Sequence, residues 1–197
     1  MQLRLTYQGP LLGANGKNTR AKHKHEIRKC FHRQLKRFWE IHPALAKASL
    51  QDGNNPAQYY MILPYLSEKF SRYGYSFVPL VSALFTVNCS ISVLLLRPDP
   101  PGQIIRSGDI DNRLKTVFDA LRVPQTKDEL GGYQAPDDDE HPMFCLLEDD
   151  KLIHHVSLET DTLLEPVSQT GNDNDVRVIV KADIQPYFLT RENSVFG

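Results

Sequence analysis

The run SGDIDNRLKTVFDAL, residues 107–121, passes from an extended turn into an amphipathic helix. Ile110, Leu114, Val117, Phe118 and Leu121 recur at three- and four-residue intervals, which puts them on one apolar face. Asp111, Lys115 and Asp119 follow at i, i+4 and i+8 and form a polar stripe beside it. Pro124 predicts the end of the helix, because the residue before a proline is driven out of helical geometry. Asp109 stands two residues before Asp111. An extended residue feeding a helix N-terminus can bring both carboxylates to one spot, where free N–H groups and the helix dipole favour their ionised form.

Working outward, a second acidic knot, Glu148, Asp149 and Asp150, precedes the strand-like run that starts near Leu152. Clustered carboxylates raise each other's pKa, and a hard divalent cation with oxygen ligands offsets that repulsion. Each part has a plainer reading. Aspartates at helix starts are ordinary caps. A lysine one turn after an aspartate is usually a surface ion pair. Glu148 to Asp150 can be a solvated turn. Their joint occurrence points to phosphodiester chemistry on Mg²⁺, with Mn²⁺ as a substitute.

Upstream lies a basic segment. Residues 17–37 hold nine Lys or Arg and one Glu, a local +8, and since the whole chain is −1 the remainder sums to −9. Wound as a helix, Ile27, Phe31, Leu35 and Phe38 fall on one side and Lys22, Lys29, Arg33 and Lys36 on the other. That basic face is expected to contact nucleic-acid phosphates. The run Asp137-Asp138-Asp139-Glu140 is expected to be solvated, since acids between prolines have no framework to hold ligand geometry.

The motif GDIDNRLKTVFDAL followed by EDDKLI resembles the RusA family of Holliday-junction resolvases. The shared pattern is D-x-D-N, a lysine four residues after the second aspartate, F-D-A-L, and a later D-D before a strand. The resemblance covers roughly residues 80–183. It implies catalytic and metal-binding roles for Asp109, Asp111 and Asp150, and a catalytic role for Lys115. It also implies a C2 homodimer that cuts four-way DNA junctions in recombination and repair. The separation between Asp111 and the later acids is longer than the family's pattern. An inserted loop at about 124–145 is therefore expected, and Asp149, or Glu148, stands as an alternative third acid. Two other readings are a non-catalytic branched-DNA-binding protein and a D-x-D nucleotide-sugar transferase. The second needs a larger nucleotide-binding domain than this chain offers.

The element order predicts an α+β fold, a small mixed sheet of about four strands with helices packed on one face. Strands are expected at 2–7, 84–96, 152–159 and 175–182, and helices at 20–40, 44–50, 56–72 and 107–121. The 197 residues, 41% hydrophobic, suffice for one domain with its own core, ending in a tail after 184. The longest apolar segment, 77–96, is broken by Pro79, Ser82, Thr86, Asn88, Ser90 and Ser92, so no membrane span is expected. Three scattered cysteines, Cys30, Cys89 and Cys145, fit neither a zinc motif nor a disulfide framework. With no leader pattern at the start, a cytoplasmic location is expected. No histidine is given a catalytic role: His23 and His25 diverge on a helix, and His154 and His155 alternate on a strand.

Overall fold

A computed structural model describes residues 1–14, 20–46, 49–51, 59–98, 110–167, 174–190 and 193–196. The main sheet contains β1 (Gln2–Pro10), β6 (Val87–Arg97), β8 (Ile153–Thr162) and β9 (Asp175–Pro186), in the order β1-β9-β6-β8. β9 runs antiparallel to β1 and β6, while β8 runs parallel to β6, so the sheet is mixed. The connection between the parallel pair includes the motif helix, α4 (Ile110–Leu121), followed by a strand of a second sheet. A parallel pair needs such a crossover, and a helix is its usual form. The α+β expectation holds, and the main sheet has the four strands expected.

Alternation explains why this sheet has a covered face. Along β6, Val87, Cys89, Ile91, Val93 and Leu95 are buried while the residues between them are half-buried. β9 does the same with Val176, Val178, Val180, Ala182 and Ile184, and β1 with Leu3 and Leu5. A period of two puts each set on one side of the pleat. Helix α1 (Ala21–Ile41) contributes Ile27, Phe31, Leu35 and Trp39 to the same core, and α4 contributes Val117, Ala120 and Leu121.

A second sheet goes beyond the sequence expectation. It contains β4 (Ser71–Arg72), β5 (Tyr75–Val81) and β7 (Met143–Leu147), with β5 and β7 parallel. β7 is buried at all five positions and β5 at six of seven. Strands buried on both faces show no alternation and resemble any other apolar run. The helices expected at 44–50 and 56–72 are shorter. They become α2 (Pro43–Ala46) and α3 (Ile62–Lys69), with a small hairpin of β2 (Ser49–Gln51) and β3 (Tyr59–Met61) between them. No described helix is long and apolar enough to cross a membrane.

The segment between α4 and β7 folds back onto α1. Gly131, at φ +66, lies against the first turn of α1, where a Cβ would collide with the backbone of Lys22. The acidic run is not simply solvated. Glu140 is 2% exposed, and its carboxylate accepts from the backbone N–H of Asp137 at 3.0 Å.

Candidate functional site

α4 begins at Ile110, and Asp109 lies outside the described residues. Asp111 and Lys115 are exposed on the first turns of the helix. Asn112 anchors this end: its carbonyl accepts from the Ala14 N–H at 3.0 Å and from the Thr116 hydroxyl, which also bonds the Leu12 carbonyl. The third member of the polar stripe differs. Asp119 is buried and paired with Lys24 at 2.7 Å and Arg122 at 3.0 Å. Sequence spacing groups the three, but depth in the fold separates one structural carboxylate from two solvent-facing groups.

The second acidic knot lies toward the other end of α4. Val123, just past the helix, donates its N–H to the Leu147 carbonyl at 2.9 Å, and Glu148 to Asp150 follow directly. The register of β8 agrees. Ile153 stands beside Cys89 near the start of β6, whereas Ile110 and Leu114 share a cavity wall with Val93 and Leu95 further along it. A 12-residue helix is about 18 Å long, so the structure does not bring Asp111 and Asp150 together within one chain.

The three acids of the knot also differ among themselves. Glu148 accepts from the Ser82 hydroxyl at 2.7 Å and the Ala83 N–H at 3.0 Å. Asp149 caps a short helical turn by accepting from the Lys151 N–H at 3.0 Å. Asp150 is exposed on that turn. Among the described residues no group of three His, Cys, Asp or Glu side chains is placed to hold a metal ion. Asp109, the first of the three expected acids, is not among those residues.

Part of the basic helix is committed inside the protein, which narrows the expected phosphate-facing side. Lys29 is buried and bridges Asp137 at 2.8 Å and Glu140 at 2.9 Å, and its ammonium lies 4.3 Å from the centre of the Tyr133 ring. Burial opposes its charge, but the hydrogen bonds it donates to Asp137 and Glu140 outweigh this and raise its pKa. Lys36 donates to the Asp139 carbonyl at 3.1 Å. Arg28 donates to the Asp119 and Arg122 carbonyls, the orphan acceptors that end α4. Of the four expected phosphate contacts, Lys22 and Arg33 are exposed, Lys36 is half-buried, and Lys29 is withdrawn. Sequence reasoning missed this network. The signal was the complement itself: a +8 segment and a run of acids later in the same chain.

The histidines of α1 complete the packing. Burial first, then the neighbouring charges of Arg28 and Lys29, push the His25 pKa down to about 3. Its Nδ1 lies 2.9 Å from Arg28 Nη1, which fits a neutral ring accepting from the guanidinium. His32 Nδ1 accepts from the Phe144 N–H at 2.8 Å, which leaves its Nε2–H to donate to the Asp139 carbonyl. Comparison with protein-family models, curated proteins and solved structures finds no match.

Proposed function

We propose that the chain is a RusA-type structure-selective endodeoxyribonuclease that acts on four-way DNA junctions as a C2 homodimer, with Mg²⁺ or Mn²⁺ as its metal. One observation carries the reading. In the motif D-x-D-N-x-x-K-x-x-F-D-A-L, Asp111 and Lys115 stay in solvent one turn apart, while Arg113 and Asp119 of the same helix are buried. A carboxylate and an ammonium exposed side by side on an anchored helix are available to a phosphate-bearing partner. Lys115 would supply positive charge to the phosphate undergoing reaction. Lys22 and Arg33 add exposed charge for flanking strands.

Because Asp111 and Asp150 stand apart in one chain, a three-acid site on this reading forms between copies. The 148–150 turn of one subunit would face the α4 N-terminus of the other. A two-fold pair makes two such sites, as symmetric cutting of a junction requires. The test uses synthetic junction, flap and duplex DNA, each with Mg²⁺ and with a chelator. Metal-dependent cleavage that prefers the junction and is abolished by Asp111→Asn is expected. Mixing inactive Asp111→Asn and Asp150→Asn chains should restore cleavage, since the mixed dimer carries one intact shared site. If each mutant is inactive and the mixture stays so despite subunit exchange, the shared site is wrong.

A second reading is a branched-DNA-binding protein without catalysis. The local capping roles of Glu148 and Asp149 favour it. Junction binding with no cleavage in either metal would decide for it.

A further inference from the structure

The end of α3, strand β4 and the 148–151 turn enclose an open polar cleft of about 370 Å³. Its walls carry three cations, Lys69, Arg72 and Lys151, and two carboxylates, Glu148 and Asp149, with Ser71 and Gln125 between them. The carboxylates already have donors. Glu148 is held by Ser82 and Ala83, and Asp149 by the Lys151 N–H, with the Lys151 ammonium 3.8 Å away. Two of the cations are not balanced in this way. Among the described residues neither Lys69 nor Arg72 has an ion-pair partner, and the Nε of Arg72 is shielded from solvent without a hydrogen bond. A shielded donor left unpaired costs free energy, so such a group calls for an acceptor.

We propose that this cleft binds a phosphate ester. An arginine fork matches two oxygens of a planar or tetrahedral anion, and lysines act as point charges around it. A phosphate has oxygens for Arg72, Lys69 and Lys151 together. The cleft volume lies within the range of small-ligand sites. The ester belongs either to a nucleic-acid strand or to a free nucleotide. The proposal goes beyond the nuclease reading: the cleft adjoins the 148–150 turn used there, but binding by its cations needs neither Asp111 nor a metal.

The test is an amide NMR titration of the full chain at constant ionic strength with inorganic phosphate, a 5′-mononucleotide, and single-stranded oligonucleotides with and without a 5′-phosphate. Saturable shifts at Lys69 to Arg72, Gln125 and Lys151, absent with matched chloride, are expected. Arg72→Gln, and separately the exposed Lys69→Gln, should weaken phosphate binding at least tenfold while signals elsewhere keep their positions. Equal binding of both oligonucleotides identifies an internal phosphodiester as the ligand. Preference for the phosphorylated one, or for the mononucleotide, identifies a terminal phosphate. Shifts no different from chloride, or unchanged affinity in both folded variants, overturn the proposal. The binding readout requires no metal and no cleavage, so the two readings fail separately.

Discussion

Lys29 and Lys115 look alike in sequence, each a lysine on the polar side of an amphipathic helix, and their surroundings set them apart. Lys29 sits beneath a loop with Glu140, whose side chain is 3% exposed, so removing the negative charge strands a buried ammonium. Glu140→Gln should destabilise the protein by about 2 kcal/mol, less than a fully broken buried pair because Asp137 remains. A urea titration checks this, and a change under 0.5 kcal/mol would mean Asp137 alone suffices. Lys115 is exposed, so Lys115→Ala should change stability by no more than about 0.5 kcal/mol. If the nuclease reading holds, single-turnover cleavage by the same variant should slow by about a hundredfold, with junction affinity changed much less. A rate within threefold of the parent would take Lys115 out of the catalytic set.

At the scale of elements, the 124–142 segment meets α1 through the Lys29, His32 and Lys36 bonds and through one close backbone approach. Gly131 combines φ +66 with a close approach to the Lys22 backbone, while Gly132 at φ +92 faces open space. Gly131→Ala should cost about 3 kcal/mol, through collision plus left-handed strain, and Gly132→Ala about 1 kcal/mol, through strain alone. Equal thermal shifts in the two variants would show that the loop moves aside freely. The helix beneath has a matching consequence for nucleic acid. Only its exposed cations can release counterions, so a Lys22→Glu, Arg33→Glu double variant should lower the log–log salt slope of DNA affinity by about 0.9 per lost contact. An unchanged slope would assign this face to solvent or protein.

Across the whole molecule, buried neutral histidines tie stability to pH. His25 titrates near 3 when folded and near its ordinary 6.5 when unfolded, and burial lowers His32 in the same direction. Between those values the unfolded chain binds more protons. The stabilisation is therefore complete above about pH 6.5 and is lost as pH falls toward 3. The loss is about 1.4 kcal/mol per pH unit for each group that is fully shifted. Urea titrations at pH 7 and pH 5 should show the fall, and His25→Gln should flatten it. An undiminished slope in that variant would place the protonation elsewhere.

The amino-acid order determined those features that depend on local periodicity. Spacing of Ile110, Val117 and Leu121 marked α4, and Ile27, Phe31 and Leu35 marked α1. Partial alternation along 84–96 and the strand-like run 175–182 marked the central strands of the main sheet. Each signal lies within one element whose two sides meet different surroundings. β5 and β7 escaped because burial on both faces erases alternation. Only the tertiary structure decided which charges are spent inside. It gave Lys24 and Lys29 to Asp119, Asp137 and Glu140, set Asp111 and Asp150 toward opposite ends of one helix, and left Lys69 and Arg72 around a cleft. Those outcomes follow from chain segments far apart in sequence. A charge's worth depends on how deeply it is buried and what stands within about 4 Å, and neither is written in spacing.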